Sequence, residues 1–296
     1  MSCEEMKSIS LEEKSILITG ATSGIGLAAA AELSKRGAFV IGVGRDEGRN
    51  QLAVEKISSE NSDAKIHYIL ADLSTQEQVI KLAVKVDTLL AKFSKNALDV
   101  LINNAGVYLE KKSCTQDGIE KTFAVNHLAP FLLSHELLPL LNDSEQARIL
   151  TVSSYSHRTT PMFLSRLANP WPYFGLLAYK RSKLCNVLFT YELNRRMDGK
   201  VLAFAVDPGL VNTAIASKGS DGISDWVWRF RREQGTSPDL PAKTIAFLSG
   251  SEKIDTSQGF YFKDCSPIPP SIQARDEKLA EEIWGLSCEL TNVDWR

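Results

Sequence analysis

The sequence predicts an α/β fold: a single domain built on a doubly wound parallel sheet with helices on both faces. Three observations point to it. Short apolar runs alternate along the chain with longer segments whose apolar residues recur at helical spacing. The short runs are apolar throughout rather than at every second residue, the pattern of strands covered on both faces. No linker rich in Pro, Gly or Ser is long enough to divide the chain, so residues 1–296 read as one domain.

The elements follow in order. KSILIT (14–19) is a buried strand, and GLAAAAELSKRG (26–37) a helix with Lys35 and Arg36 in its last turn and Gly37 as C-cap. Strand AFVIGV (38–43), helix 47–59, strand KIHYIL (65–70) and helix 75–93 repeat the unit. Strand LDVLIN (98–103) precedes a single long helix over 118–141, and ARILTVSS (147–154) is the fifth strand. After an irregular excursion, 155–178, comes the helix holding Tyr179, then strand KVLAFAV (200–206). Helix 241–250, strand GFYF (259–262) and helix 274–290 close the chain. The second irregular stretch, 213–240, contains DWVWRFRRE (225–233), with Trp226, Trp228 and Phe230. It reads as a helical lid covering an apolar substrate, with contact to a lipid surface as the other reading.

Composition narrows the function. Lys and Arg number 34 against 36 Asp and Glu, a net charge of −2, so nothing global favours nucleic acid or anionic membrane. The five cysteines (Cys3, Cys114, Cys185, Cys265, Cys288) show no CxxC pair and no metal-ligand spacing, which leaves reduced thiols and no metal as the expectation. The polar start, MSCEEMKSIS, reads as neither a signal nor a transit peptide, and no apolar run is of membrane-spanning length. A cytoplasmic location is expected.

The first strand runs into TGATSGIG (19–26) and then directly into a helix. Gly20, Gly24 and Gly26, with Thr22, Ser23 and Ile25 between them, allow a tight turn and close approach of a ligand to the backbone. The helix N-terminus that follows offers unpaired N–H groups and a positive dipole end, which suit a pyrophosphate. A Rossmann-type dinucleotide site is the expectation. Where an acidic residue after strand two would hold a ribose 2′-OH, this chain has Gly44 and then Arg45, with Arg49 one turn on. A guanidinium can hold a 2′-phosphate, so NADP(H) is preferred and NAD(H) remains possible; Asp46 facing the ribose would invert that. Asp72 and Leu73 follow strand three, placed for the adenine edge. Asn104, Ala105 and Gly106 follow strand four and leave room for the adenosine half.

TGATSGIG, NNAG (103–106), Asn126, Ser154, YKRSK (179–183) and DPG (207–209) occur in this order, each at a strand end or on a helix. Together they resemble the short-chain dehydrogenase/reductase family across nearly the whole chain. GFYFKDC (259–265) and QAR…IWGLSCEL (273–290) resemble its retinol-dehydrogenase-like branch, whose members act on retinoids and other lipophilic carbonyls. The resemblance implies Tyr179 as acid/base, Lys183 as its electrostatic partner and ribose anchor, and Ser154 as carbonyl positioner. It further implies Asn126 as holder of a relay water. Pro208, Gly209, Val211 and Thr213 would lie against the nicotinamide, and a homo-oligomer would be usual.

Chemistry agrees. Reducing a carbonyl needs hydride at carbon and a proton at the developing alkoxide. A phenol of pKa near ~10 is acid enough to supply that proton. An ammonium four residues on, on the same helix face, would stabilise the phenolate and lower that pKa. Lys180 and Arg181 are expected to face solvent. Two alternatives stand at this stage: Ser153 rather than Ser154 could face the cleft, since strand neighbours point oppositely. His157 near Ser154 also admits a Ser/His hydrolase, against which stands the absence of a G-x-S-x-G elbow. A catalytically silent NADP(H)-binding scaffold or redox sensor is the alternative from another functional class.

Overall fold

The computed structural model describes residues 9–209 and 237–295; the expected lid around 225–233, Val211 and Thr213 lie outside them. Eight strands form one sheet in the order β3-β2-β1-β4-β5-β6-β7-β8. They are β1 (Ser15–Thr19), β2 (Phe39–Gly44), β3 (Ile66–Leu70), β4 (Val100–Asn103), β5 (Ala147–Val152), β6 (Val201–Val206), β7 (Tyr261–Lys263) and β8 (Ser266–Pro267). All neighbours pair in parallel except β7 and β8, which are antiparallel.

The chain builds outward from β1 to β3 and then returns to place β4 on the other side of β1. Strand order thus reverses between β1 and β4, where the first connections diverge and leave a crevice at the carboxyl ends. β1, β2, β4 and β5 are buried along their whole length, which is why they read as unbroken apolar runs. Alternate residues serve the two faces. Ile16, Ile18, Val40, Val100, Ile102 and Leu150 pack under α1 (Gly24–Lys35) and α8 (Asp239–Gly250). Leu17, Ile41, Leu101 and Ile149 pack under α3 (Gln76–Lys92) and α5 (Ala129–Glu136). The remaining α-helices among the described residues are α2 (Glu47–Glu60), α4 (Lys121–Phe123), α6 (Leu138–Asn142), α7 (Gly175–Met197) and α9 (Glu277–Thr291).

Three expectations are corrected. The single helix over 118–141 is interrupted by a π-turn at Ala124–Leu128, where the Ala129 N–H reaches back to the Ala124 carbonyl, and again at Leu137. Pro139, two residues after Leu137, supplies no N–H to continue the ladder. The excursion 155–178 is not wholly irregular: it holds 3₁₀ turns at Tyr155–Thr159 and Leu164–Arg166, and α7 already begins at Gly175. The sheet also ends on an antiparallel strand; β8 has two residues, too few to show any periodicity. No helix among the described residues is long and apolar enough to cross a membrane.

Candidate active site

A cleft of about 370 Å³ opens at the β1/β4 divergence. Its wall contains Gly20, Thr22, Ser23, Gly24, Ile25 and Gly26 on one side. Arg45, Asp72 and Leu73 line it after β2 and β3, and Asn104, Ala105 and Gly106 after β4. Every cofactor residue expected from β1 to β4 is therefore on one surface.

The turn's construction explains the glycines. Gly20 has φ +68°, a conformation that side chains resist. A Cβ on Gly26 would sit 2.3 Å from the Gly20 carbonyl oxygen and 2.5 Å from Asn104 Nδ2. Asn104 Nδ2 donates to the carbonyls of Thr19 (2.8 Å) and Gly20 (3.2 Å), tying the loop after β4 to the loop after β1. The Thr19 hydroxyl accepts from the N–H groups of Asn104 (3.1 Å) and Ala105 (3.0 Å). The first turn of α1 holds no acidic residue and no side-chain cap, so its N–H groups and positive dipole end face the cleft uncompensated by protein. This cradle, which admits no Cβ at Gly20 or Gly26 and ends on the amide donors of a helix N-terminus, fits a dinucleotide pyrophosphate.

After β2, Asp46 is the N-cap of α2, its carboxylate accepting the Arg49 N–H at 2.8 Å. That carboxylate is thus occupied by the helix, while Arg45 lines the cleft. Asp72 likewise caps its own turn, accepting from the Ser74 N–H at 3.0 Å.

The second cluster stands at the ends of β5 and β6. Tyr179 and Lys183 lie one turn apart on α7, 7 % and 3 % exposed. Lys183 Nζ is 5.7 Å from the Tyr179 ring centroid and donates to the Val152 carbonyl at 2.8 Å. In return the Ser153 hydroxyl donates to the Lys183 carbonyl at 2.8 Å. This settles the two serines: Ser153 is spent joining β5 to α7, and Ser154 is the one beside Tyr179. The Ser154 hydroxyl also accepts from Ser156 N–H and Oγ at 3.3 and 3.0 Å. The two clusters adjoin. A Cβ on Gly106 would lie 3.4 Å from Asn126 Oδ1 and 3.6 Å from Lys183 Nζ. Tyr108, in the cleft wall, meets the Tyr179 ring edge-on with centroids 6.1 Å apart.

Burial pushes the Tyr179 phenol up to about 12; the Ser154 hydrogen bond pulls it down and the Asp207 charge pushes it further up. This corrects the expectation of a lowered phenol. The same burial lowers Lys183 to about 8, and its amine is directed at Val152. Asn126 lies in the π-turn, and its amide spans outward: Oδ1 accepts the Val107 N–H at 2.7 Å, and Nδ2 donates to the Val107 carbonyl and Ser182 Oγ, both at 3.0 Å. It pins the wall that follows Gly106. π-turns of this kind recur at functional sites.

Arg181 does not face solvent as expected: it is buried, with Nε donating to the Pro161 carbonyl at 3.0 Å and its guanidinium over Phe163 at 5.4 Å. The 155–178 excursion folds back over α7 and covers it. His157 bonds the Ser154 carbonyl, at 2.7 Å, and not its hydroxyl, which leaves no Ser/His nucleophile. Pro208 and Gly209 follow β6, where Gly209, at φ +70°, donates its N–H to Asp207 Oδ1 at 3.0 Å.

Sequence reasoning missed Thr19, Tyr108 and the Asp207 carboxylate. Thr19 could have been suspected as a hydroxyl at a strand end beside the glycine turn, and Asp207 from its place in DPG (207–209), whereas Tyr108 carries no pattern of its own.

The model of the short chain dehydrogenase family matches residues 14–223. Retinol dehydrogenase 12 of Mus musculus is 35% identical over 288 residues, which span 97% of this chain and 89% of that protein. Among solved structures, an uncharacterized protein from Mycobacterium paratuberculosis superposes with a TM-score of 0.74 at 28% identity, covering 98% of each chain. A short chain dehydrogenase from Burkholderia cenocepacia J2315, in complex with NADP, gives 0.66 at 26% identity over 86% of this chain and 98% of that one. With the glycine cradle, the parallel sheet and the Tyr179–Lys183 pair already in place, these matches assign the chain to the short-chain dehydrogenase/reductase family of oxidoreductases, in its retinol-dehydrogenase-like branch.

Proposed function

We propose that this protein is an NADP(H)-dependent oxidoreductase that interconverts the carbonyl and alcohol of a lipophilic small molecule, with Tyr179 as the acid/base. The observation that carries the reading is the meeting of Ser154, Tyr179 and Lys183 beside a glycine-walled cleft, joined to it through Gly106 and Tyr108. A bound nicotinamide supplies or accepts the hydride. The residues of the chain bind, orient and move the proton.

The Gly20–Gly26 turn and the start of α1 would hold the pyrophosphate, and Asp72, Leu73 and Asn104–Gly106 the adenosine half. Arg45 would receive a 2′-phosphate, and one oxygen of the neighbouring Asp46 carboxylate is engaged as a helix cap. Pro208 and Gly209, with Val211 and Thr213 by resemblance, would flank the nicotinamide. The Ser154 hydroxyl would hold the substrate oxygen while the protonated Tyr179 donates to it, a contribution of about 10²–10⁴-fold. A phenol held near 12 stays protonated at neutral pH, which suits the reductive direction. Lys183 would anchor the ribose and add positive charge beside the phenol. The retinol dehydrogenase named among the relatives makes a long apolar aldehyde the first substrate to try.

The test is oxidation of NADPH and of NADH against a panel of aldehydes and ketones, with Tyr179→Phe beside the wild type. Turnover with NADPH is expected, with a loss of about a hundredfold or more in the variant and unchanged NADPH binding. Equal turnover by Tyr179→Phe would sink the mechanism.

A further inference from the structure

His157, buried in the 3₁₀ turn that follows Ser154, has no part in the chemistry above, yet both its ring nitrogens are engaged. Nε2 receives the Ser271 backbone N–H at 3.1 Å. An amide N–H only donates, so Nε2 bears the lone pair, and in the neutral ring the proton sits on Nδ1. Nδ1 is 2.7 Å from the Ser154 carbonyl oxygen. That oxygen also accepts the His157 backbone N–H at 3.2 Å, so both bonds to it come from one residue. Ser153 makes the last ladder contact to β6, through its N–H and the Val206 carbonyl, so Ser154 lies where the strand no longer holds the peptide.

The connections continue from the ring. The Tyr261 hydroxyl donates to Asp207 Oδ2 at 2.7 Å and lies 3.5 Å from Nδ1, whose one proton is directed at the Ser154 carbonyl, so ring packing rather than a hydrogen bond joins the phenol to the imidazole. The other Asp207 oxygen closes the turn to Gly209. The Tyr261 ring meets the imidazole edge-on at 5.0 Å between centroids, which fixes the plane in which Nδ1 points. Four separate segments converge: the end of β5, the turn after β6, β7, and the chain at Ser271.

We propose that His157 is a positioning residue, which as the Nδ1–H tautomer sets the Ser154 peptide and couples it, through Tyr261 and Asp207, to the turn at Gly209. The inference rests on the reading of Ser154 as the carbonyl positioner. Its consequence is that the Ser154 hydroxyl and the nicotinamide-side turn move together rather than independently. Misplacement by even 1 Å at such a point can cost about a hundredfold in rate.

The test has two arms. In histidine-labelled wild type, long-range ¹H–¹⁵N spectra of the imidazoles should show a neutral Nδ1–H ring that disappears in His157→Asn. An Nε2–H or cationic ring at this position overturns the assignment. Ser154→Ala keeps the carbonyl, so the tautomer signal should persist in it while NADPH-dependent reduction of 4-nitrobenzaldehyde falls. Undiminished reduction by Ser154→Ala with the signal intact would refute the role of Ser154 and leave the tautomer assignment standing. In the second arm, His157→Phe should lower kcat for that aldehyde about tenfold or more, with NADPH affinity unchanged. His157→Asn, which retains a donor for the Ser154 carbonyl, should recover most of the loss. Equal losses in the two variants, or a loss confined to NADPH binding, would overturn the proposal.

Discussion

The same chemical change, glycine to alanine, should have opposite effects at two helical positions. In Gly26→Ala the new Cβ lies 2.3 Å from the Gly20 carbonyl oxygen, so the turn must open by about 0.7 Å before the contact reaches 3.0 Å. Overpacking of this kind costs about 1–3 kcal/mol. Opening the turn also stretches the bonds from Asn104 Nδ2 to the Thr19 and Gly20 carbonyls, worth about 1 kcal/mol each. Alanine's better helix propensity returns about 1 kcal/mol. The net loss is about 2–4 kcal/mol, a fall in Tm of about 3–7 °C for a chain of this size. Gly285, exposed on the outer face of α9, is the control: a Cβ there meets nothing within 4 Å. Gly285→Ala should raise stability by up to about 1 kcal/mol. Thermal melts followed by circular dichroism, and NADPH titrations followed by fluorescence, read both variants. Gly26→Ala should also bind NADPH at least about tenfold more weakly, since the displaced carbonyl and Asn104 form the cradle. A Gly26→Ala protein that melts and binds like the wild type would refute the account of the turn.

Arg45→Ala should weaken NADPH much more than NADH, by about tenfold for loss of a charge-assisted contact; equal effects on both would remove the argument for the 2′-phosphate. Asp46→Ala should cost about 1 kcal/mol through loss of the α2 cap, measured by urea unfolding, without changing the preference between NADPH and NADH. His127 is fully buried, and burial lowers it from 6.5 to about 4. Its folded-state value is depressed, so the unfolded chain binds the proton first. Stability should be intact above about pH 6.5 and fall by about 3 kcal/mol as pH drops toward 4. Urea midpoints at pH 7 and 4.5 check this, and an unchanged pH slope in His127→Gln would contradict it.

Which features could be read from sequence follows from how local their causes are. The strands of the sheet's centre were legible because burial on both faces requires unbroken apolar runs, as in SILIT and VLIN. The glycine turn was legible because only glycine suits φ +68° at Gly20 and the contact at Gly26. Tyr179 and Lys183 were placed on one face by helical spacing alone. Other features depended on partners far along the chain. The π-turn at Ala124–Leu128 interrupts a pattern that propensity would continue, and Asn126 within it reaches Val107. Arg181 is buried because the 155–178 excursion folds over it, which its place between Lys180 and Ser182 does not disclose.

By itself the sequence determined the α/β class, the order of the first seven strands and the glycine turn at Gly20–Gly26, which depend on periodicity, backbone sterics and neighbours within one or two turns. Ser154, Tyr179 and Lys183 were named through the family resemblance. The tertiary structure decided what depends on packing between distant segments: that Ser153 joins β5 to α7 while Ser154 stands beside Tyr179. It decided that Asp46 caps a helix and that the two nitrogens of His157 join the end of β5 to the chain at Ser271. It also set the phenol. Spacing alone placed a cation near Tyr179 and suggested a lowered pKa. Burial raises it instead, because desolvation depends on everything packed around the ring, and the Asp207 charge pushes the same way against the Ser154 hydrogen bond.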